Sequence, residues 1–344
     1  MNDAKFNDVL NQFKNHTSFD LLEVGRFQSF KLVHQFQKRY SYQRVYLATG
    51  SEGGKKIYVK LHRNVYSKSP ERFIEFVKKD FETNQFWYHK LKDFENFGSI
   101  RPIFCSEIAG AIITEAVEGV NLGSIIGKGI RYRAGASQLQ ELVGLAKRAG
   151  ALLRAIQSFP VNAVYDYKTL IEDIDIRMRA LQEMQAPGFG ADTRKSILHY
   201  LSETLASIKG RGLICYLHRD FIPANTLVAG EKIIIHDFSK IFTGPGLFDL
   251  ARFFHNLELL KYKPTHRNDD VVALQKAFLS GYDFQPANDG DLFNICLLRH
   301  CITHYKGLIR DSKTSLGSKL YNRWVIHMHQ KNIQKIIASE SPCH

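Results

Sequence analysis

Alternating apolar and polar residues predict strands in the first third of the chain. Three segments have the period of about two residues that is typical of strands: Ser29–Gln35, Arg44–Ala48 and Lys56–His62. Turn-forming residues at Ser51–Gly54 separate the second segment from the third, so the three predict an antiparallel meander. In the third segment Ile57, Val59 and Leu61 share one face. Lys60 is therefore expected on the opposite face.

Apolar residues at helical spacing predict helices before, between and after the strands. An amphipathic helix is expected over Ala4–Lys14 and a longer helix over Glu71–Leu91. Two more strands are expected near Ile103–Glu107 and Ala111–Val117, and the segment Leu122–Lys209 is predicted to be mainly helical. The pattern predicts an α+β fold with an antiparallel sheet in the N-terminal part and a mainly helical C-terminal part.

The stretch between residues 218 and 239 carries the candidate chemistry. It contains, in order, the loop His218–Asn225, the strand Thr226–Ala229, the turn Gly230-Glu231, the strand Lys232–His236 and the tripeptide Asp237-Phe238-Ser239. Because Asn225 enters this hairpin and Asp237 leaves it, we expect their side chains to lie side by side. Carboxylate and amide oxygens are ligands that Mg²⁺ accepts readily. The sequence therefore predicts a magnesium site, with Asp220 close by.

The chain is strongly basic, with a net charge of +13 over 344 residues. Between Cys296 and His344 there are eight Lys or Arg residues against two acidic residues, Asp311 and Glu340. Such charge is typical of a solvated helical face, or of a surface that attracts a phosphorylated substrate, an acidic glycan or an anionic membrane. It argues against a polycationic substrate. No motif for nucleic-acid recognition accompanies it, so no nucleic-acid partner is expected.

The apolar and cysteine patterns favour a cytoplasmic protein. With 44% apolar residues the chain can form one large domain or two lobes, yet no apolar run approaches the ~20 residues of a membrane span. The N-terminus lacks the basic-then-apolar pattern of a secretory signal, and the five cysteines include no C-x-x-C pair. We therefore expect a reducing cytoplasm, with the basic C-terminal region as a candidate for peripheral contact with the inner membrane surface.

The motif H-R-D-x-x-x-x-N at 218–225, followed by D-F-S at 237–239, resembles the protein-kinase-like fold. Its surroundings are more similar to the small-molecule branch of that fold, the aminoglycoside phosphotransferase and choline kinase family. Asp249-Leu250-Ala251 follows soon after the second motif, and no Ala-Pro-Glu occurs. The turn at 38–43 contains no glycine, which also favours that branch over a protein kinase.

The resemblance implies a bilobal molecule and a division of roles. Residues 1–117 would form a nucleotide-binding N-lobe, and residues 118–344 a helical C-lobe that carries both motif loops. Asp220 would orient the attacking hydroxyl of the substrate or accept its proton. Asn225 and Asp237 would hold Mg²⁺ against the phosphates of ATP. Asp249 is expected to be structural and to bind the backbone of the catalytic loop.

The resemblance also implies an ATP site in the N-terminal part. Lys60 would hold the α- and β-phosphates. A carboxylate on the following helix would orient this lysine, and the spacing favours Glu82, with Glu75 as the second choice. Ser41 and its backbone would approach the phosphates from the turn before the second strand. The hinge Glu115–Gly119 would offer backbone groups to the adenine edge, with Glu115 and Val117 as the expected contacts.

Three functions remain open at the level of sequence. The leading interpretation is an ATP- and Mg²⁺-dependent phosphotransferase that acts on a hydroxyl of a small molecule or a glycan. The second is a sugar kinase for lipopolysaccharide core or another cell-envelope intermediate at the membrane surface, because the basic C-terminal region and Lys60-Leu61-His62-Arg63 resemble that group. The third is a non-catalytic pseudokinase, against which the retention of Lys60, Asp220, Asn225 and Asp237 argues.

A second group of candidate metal ligands lies near residue 300. Cys296, His300 and His304 fall on one face of a predicted helix, next to Cys301. One helix rarely supplies three or four ligands to a tetrahedral zinc ion. The neighbouring apolar residues indicate core packing instead, so no metal is expected from this row alone.

Overall fold

The computed structural model describes residues 2–38, 40–65, 69–132, 134–208, 213–238, 241–310 and 315–338. Contacts divide the chain into two units. Unit 1 comprises residues 1–120 and 226–241, and unit 2 comprises residues 121–225 and 242–344. The sequence placed the boundary at 117/118 and the loop 237–239 in the second lobe. The division differs because the hairpin that follows Asn225 pairs with a strand of unit 1.

The described residues form helices and strands that are numbered in chain order. The helices are α1 (Asn2–Lys14), α2 (Pro70–Leu91), α3 (Leu122–Gly129), α4 (Ala136–Gln157), α5 (Lys168–Glu183), α6 (Ala191–Ile208), α7 (Leu247–Glu258), α8 (Asn268–Tyr282), α9 (Pro286–Arg310) and α10 (Leu316–Ile337). The strands are β1 (Phe27–Gln37), β2 (Ser41–Gly50), β3 (Gly53–His62), β4 (Phe97–Ser99), β5 (Pro102–Ser106), β6 (Ala111–Glu115), β7 (Val120–Asn121), β8 (Ile214–Leu217), β9 (Thr226–Ala229), β10 (Lys232–Ile235) and β11 (Phe242–Pro245). Short 3₁₀ helices cover Thr17–Leu22, Pro223–Asn225 and Leu259–Tyr262.

Unit 1 is built on a five-stranded sheet in the order β1-β2-β3-β6-β5. Every neighbouring pair in it is antiparallel, which confirms the predicted meander. Ser51 and Glu52 form the tight turn between β2 and β3, where Gly50 pairs with Gly53. Gly53 has a φ of 134°, a conformation that L side chains rarely adopt. The predicted antiparallel sheet of the α+β fold is therefore present in the N-terminal part.

The core of unit 1 lies between α1 and one face of this sheet. α1 buries its predicted apolar side, Phe6, Val9, Leu10 and Phe13. These side chains pack in one cluster with the buried residues of β3, Ile57, Val59 and Leu61. Burial of each such side chain stabilises the fold by about 1.5–3 kcal/mol. Because the apolar residues of β3 alternate, Lys60 lies on the face of the strand that is turned away from this core.

A second sheet in unit 1 joins segments that are far apart in the sequence. β9 and β10 form the predicted hairpin, with Ile235 opposite Thr226 and the turn closed by Gly230 at φ 57°. β10 also pairs in parallel with β4, where Ile233 lies opposite Phe97. Because of this pairing, residues 226–241 belong to unit 1. The pairing also fixes the position of β10, from which the chain continues to Asp237.

Unit 2 is mainly helical, as the sequence predicted. α4 and α8 pack at close range through Gly150 and Gly281, since a Cβ on Gly150 would overlap the carbonyl oxygen of Phe278. β8 and β11 form a two-stranded antiparallel sheet, in which Leu217 pairs with Phe242. This sheet leads directly into the loop that begins at His218. In the described part of the chain, no helix is both long and apolar enough to cross a bilayer.

Candidate active site

Unit 1 contains a cavity of about 290 Å³ on the face of the sheet that carries Lys60. Its apolar wall includes Phe36, Val45, Ile100, Ile112, Val117 and Leu227. Its polar lining includes Lys38, Gln43, Lys60, Asp80, Asn84, Thr114, Glu115 and Asp237. The strands β2, β3 and β6 supply much of this lining. Basic and acidic groups are therefore combined with an extended apolar wall in one cavity.

Lys60 lies between two carboxylates of unit 1. Its Nζ is 3.1 Å from Asp237 Oδ1 and 3.4 Å from Asp80 Oδ2. Burial alone would lower the pKa of Lys60, but the two carboxylates outweigh that effect and raise this pKa above its ordinary value. The lysine is therefore held as a cation at a fixed place on the cavity wall.

The carboxylate that pairs with Lys60 from α2 is Asp80, and the prediction of Glu82 was wrong. Asp80 is 3% exposed and lies on the buried side of α2 with Val77 and Trp87. Residues two apart on a helix point about 200° from each other, so Glu82 faces solvent. Glu75, the second choice, pairs instead with Lys79. Val77, Asp80 and Trp87 recur at helical spacing, and Asp80 is the only carboxylate among these three. This pattern was the signal in the sequence that identifies Asp80.

Asp80 also connects Lys60 to the backbone that follows the second motif. Asn84 Nδ2 donates to Asp80 Oδ1 at 3.0 Å and to the carbonyl oxygen of Phe238 at 3.2 Å. The ring of Phe238 is buried and stacks on Trp87 at 5.0 Å between centroids. Asn84 was not singled out from the sequence. The result is a network in which α2 fixes both Lys60 and the chain beside Asp237.

Asp237 has the properties of a carboxylate that stays ionised. Its backbone is left-handed at φ 68°, a conformation that Asp adopts more readily than most residues. The nearby Lys60 ammonium lowers the pKa of Asp237 well below its usual range, against the opposing effect of burial. An ionised carboxylate on a cavity wall can bind a cation. Ser239, the third residue of the motif, lies outside the described residues.

Of the other residues predicted to contact the nucleotide, Glu115 and Val117 line the cavity and Ser41 does not. The Glu115 N–H, however, already donates to the Arg101 carbonyl at 2.9 Å. Ser41 is buried, and its hydroxyl accepts a hydrogen bond from Gln43 Nε2 at 2.8 Å. Gln43, rather than Ser41, is among the residues that line the cavity, and Ser41 lies two residues earlier, at the start of β2. The structure therefore does not bring the Ser41 side chain to the cavity.

In unit 2 a buried carboxylate organises the loop His218–Asn225. Asp249 is 0% exposed, and it accepts hydrogen bonds from the backbone N–H groups of His218 at 2.6 Å and Arg219 at 2.8 Å. Burial raises the pKa of Asp249 to about 7, although the two N–H donors oppose that shift. His218 Nδ1 in turn accepts from the Asp220 N–H at 3.3 Å. The expected structural role of Asp249, which was to bind the backbone of this loop, is confirmed.

Asp220 is held by an amide and by a guanidinium of unit 2. Asn225 Nδ2 donates to Asp220 Oδ2 at 3.0 Å, which leaves the Asn225 amide oxygen as the atom that can bind a metal. Arg252 contacts Asp220 Oδ1 through its Nη2 at 3.0 Å and its Nε at 3.3 Å. The Asp220 side chain remains 50% exposed. The expected proximity of Asn225 to Asp237 concerns residues of different units and stays a prediction.

Arg252 was missed at the level of sequence, although a signal existed. It lies three residues after Asp249 on α7, so one turn of helix carries the carboxylate that holds the loop and the guanidinium that holds Asp220. The spacing between Asp249 and Arg252 predicts that both can face the same loop. What the sequence could not show is that this loop lies against α7.

An antiparallel sheet with a lysine between two carboxylates, and a helical unit with an H-R-D loop, define the class of kinase-like phosphotransferases. The model of the phosphotransferase enzyme family (APH) matches residues 105–284, which is more than half of the chain. The chain therefore belongs to this family and is a phosphotransferase that acts on hydroxyl groups. A search among curated proteins gave no significant match.

The fold is similar to several solved kinases. A choline kinase from Cryptosporidium parvum is 12% identical, with a TM-score of 0.57 and coverage of 97% of each chain. Choline kinase LicA from Streptococcus pneumoniae is 13% identical, with a TM-score of 0.53 and coverage of 95% of this chain and 99% of that one. The aminoglycoside phosphotransferase APH(2")-IIa, in a ternary complex with streptomycin and ATP, is 13% identical, with a TM-score of 0.53 and coverages of 89% and 94%. At these identities the similarity shows the fold alone.

Proposed function

We propose that this chain transfers the γ-phosphate of ATP, with Mg²⁺ bound, to a hydroxyl group of a small molecule or a glycan. The observation that carries the proposal is the cavity of unit 1, in which Lys60 and Asp237 lie 3.1 Å apart beside an extended apolar wall. A planar purine suits the apolar wall, and phosphates suit the ammonium of Lys60. The solved APH(2")-IIa complex, which contains ATP, supports the choice of nucleotide.

The cavity residues fit the parts of a nucleotide in different ways. Ligand pockets commonly measure roughly 300–1,000 Å³, so a cavity of about 290 Å³ suits a purine and its ribose better than a larger acceptor. Val117 would offer its backbone to the adenine edge, since the N–H groups of Glu115 and Ala116 already donate to other carbonyls. Lys60 would neutralise charge on the phosphates. Asp80 would keep Lys60 in place without touching the nucleotide.

The motif loops fit a metal and an acceptor. The amide oxygen of Asn225 and the ionised carboxylate of Asp237 are suitable Mg²⁺ ligands, and the ion when bound would neutralise charge on the phosphates. Asp220 would orient the acceptor hydroxyl and accept its proton. Its half-exposed carboxylate is accessible for this purpose, and Asn225 and Arg252 restrict its orientation.

Turnover with a panel of hydroxyl acceptors tests the proposal. Wild-type protein is mixed with Mg-ATP and sugars, amino alcohols and nucleosides, and phosphorylated products are detected by mass spectrometry. Asp220→Ala is the matched control, because it removes the proposed base from an exposed position. We expect products with wild type alone. If wild type binds Mg-ATP but makes no product that Asp220→Ala does not make, the pseudokinase alternative replaces this proposal.

We further propose that the acceptor is neutral or anionic. Arg252 places a guanidinium on the carboxylate of Asp220, so this carboxylate is already paired with a cation and would attract an ammonium group only weakly. The net charge of the chain, +13, is also positive and therefore also disfavours a cationic acceptor. Competition between choline and a sugar phosphate in the turnover assay tests this point. Preferential phosphorylation of choline by wild type would contradict it while leaving the phosphotransfer itself intact.

A cell-envelope acceptor at the membrane surface is the second candidate function, and α10 favours it. Leu316, Leu320 and Trp324 are exposed at helical spacing, and the exposed Lys319 and Arg323 lie beside them. An exposed apolar strip flanked by cations is suited to the surface of an anionic bilayer. Co-sedimentation with phosphatidylglycerol vesicles tests this contact. Leu320→Glu should reduce binding, whereas equal recovery with purely zwitterionic vesicles would exclude a charge-dependent membrane contact.

A further inference from the structure

Three histidines from three helices of unit 2 converge away from the residues of the proposed reaction. They are His255 on α7, His304 on α9 and His329 on α10, and their ring centroids lie 5.0–5.6 Å apart. One ring nitrogen from each lies within 4.8 Å of those of the other two. The tightest contact joins His304 Nδ1 to His329 Nε2 at 2.8 Å. We name this group the histidine trio.

The trio is buried more deeply than its polarity favours. His255 and His329 are 0% exposed, and His304 is half-buried at the edge of the group. Among the described residues, His255 Nε2 has no hydrogen-bond partner. A buried polar atom without a partner costs about 1–3 kcal/mol. Packing alone does not explain why three helices would each bring a histidine to this point.

The chemical state of the rings suits a transition metal. Burial lowers the pKa of His329 to about 3 and that of His255 well below its usual range. Both rings are therefore neutral imidazoles at ordinary pH, and the neutral imidazole is the form that binds metal ions. Cys301 Sγ lies 3.7 Å from His255 Nδ1, so a thiol lies directly beside the trio.

The spacing is compatible with tetrahedral coordination after small movements. Zinc binds imidazole nitrogen at about 2.0–2.1 Å, so two nitrogens on one tetrahedral ion lie about 3.3 Å apart. The trio spans separations from 2.8 Å to within 4.8 Å, and rotations that move each nitrogen by about 1 Å or less bring all three to that value. The proton now shared by His304 and His329 would move to a ring nitrogen that faces away from the ion, so the rings stay neutral.

We propose that His255, His304 and His329 form a binding site for a divalent transition-metal ion, of which Zn²⁺ is the best fit, that ties α7, α9 and α10 together. Three imidazoles suit zinc, whereas Mg²⁺ and Ca²⁺ prefer oxygen ligands. The site stabilises unit 2 and takes no part in the transfer reaction. It differs from the row of Cys296, His300 and His304 in the sequence, because only His304 is common to both groups.

Metal titration of the full chain tests the proposal. Protein dialysed against a chelator is titrated with Zn²⁺, and in parallel with Co²⁺, in excess Mg²⁺ so that oxygen-ligand sites are filled. We expect one Zn²⁺ per chain, a visible Co²⁺ absorption typical of tetrahedral coordination, and a higher melting temperature. His304→Gln should weaken Zn²⁺ binding at least 100-fold, and His329→Gln provides an independent second variant if the first does not fold.

A matched control removes a histidine outside the trio. His199 on α6 is exposed, and its side chain pairs only with Glu203 at 3.3 Å among the ion pairs of the described residues, so His199→Gln should bind Zn²⁺ as wild type does. The proposal is overturned if wild type takes up less than a tenth of an equivalent of Zn²⁺, or if His304→Gln and His329→Gln bind it as tightly as His199→Gln. These readouts do not depend on phosphotransfer, so failure of the proposed function would leave them unaffected.

Discussion

The two units position their candidate functional carboxylates, Asp237 and Asp220, by different physical means. In unit 1, Asp237 has a side chain that is 44% exposed, and it is fixed by Lys60, which also contacts the buried Asp80. In unit 2, Asp220 lies on a loop that is fixed through its backbone by Asp249, and its own carboxylate stays half exposed. Buried charges depend on one another, because each becomes costly when its partner is removed. A half-exposed carboxylate on a tethered loop can be altered with little effect on folding.

This comparison predicts that activity and stability separate in unit 2 but are linked in unit 1. Removal of a charge from the unit 1 network should lower both. Removal of the Asp220 carboxylate should abolish activity while the protein stays folded. Four substitutions test the contrast, beginning with the one that should change the protein most.

Asp220→Asn should give the largest loss of activity. A positioned general base contributes about 10²–10⁴-fold to a rate, so kcat should fall by about that factor. Because Asp220 is half exposed, the free energy of unfolding should change by less than about 0.5 kcal/mol. Steady-state kinetics and urea denaturation measure the two effects. A large loss of stability would show that the loop depends on this carboxylate for folding, contrary to the contrast between the units.

Asp80→Ala should destabilise unit 1 most. Removal of one partner from a buried charge pair costs about 3–5 kcal/mol. Lys60 keeps Asp237 as a partner, so we expect the lower end, about 3 kcal/mol, together with a loss of nucleotide binding. Denaturant unfolding and ATP titration measure both effects. Glu82→Ala, two residues away on the exposed side of the same helix, is the control and should stay within about 0.5 kcal/mol of wild type.

Arg252→Ala should have an intermediate effect that is confined to catalysis. Loss of two charge-assisted contacts to Asp220 should lower kcat by about tenfold, equivalent to about 1.4 kcal/mol. KM for ATP should be unchanged, since Arg252 acts as a positioning residue for Asp220 in unit 2. Arg252→Lys keeps the charge but not the planar fork, so it should restore only part of the rate. An unchanged kcat in Arg252→Ala would show that Arg252 does not position Asp220 for the reaction.

Asp237→Asn should have a small effect on stability that depends on pH. The pKa of Asp237 is lowered in the folded protein, so its ion pair with Lys60 stabilises the fold above the ordinary aspartate pKa of about 3.9 and loses that effect as the pH falls below it. Wild type should exceed the variant by about 1 kcal/mol at pH 6, because the pair is partly exposed. Urea unfolding at pH 6 and pH 3 should show this difference shrinking, because only the lower pH lies below the ordinary aspartate pKa of about 3.9. A difference that grows on acidification would contradict the assignment.

Much of the fold could be predicted because the determining patterns are local. The alternation in β2 and β3 and the apolar side of α1 are set by side chains a few residues apart, so the meander and its core could be derived from sequence. The hairpin of β9 and β10 followed from one short turn. Asp249 was assigned correctly from its position after the second motif.

The features that could not be predicted from the sequence depend on contacts between distant segments of the chain. The face of α2 that meets Lys60 is the buried side of the helix, which carries Asp80 and Trp87. The prediction of Glu82 considered only its distance along the chain and not the side of the helix on which it lies. The parallel pairing of β10 with β4 involves a three-residue strand that has no signal of its own. Arg252 acquires its role only because α7 lies under the loop of Asp220. Each of these follows from which elements pack together rather than from any one segment.

The parallel contact of β4 with β10 has a consequence for biosynthesis. The chain leaves the ribosome from its N-terminus, but the second sheet of unit 1 needs Ile233 to pair with Phe97. The whole first segment of unit 2, residues 121–225, is made in between. Until then, Lys60 and Asp80 lack Asp237 as a partner. Pairings of such high contact order form slowly. The nascent N-terminal segment is therefore the part of this protein that we expect to need a chaperone, and its final shape is set only after the H-R-D loop has been translated.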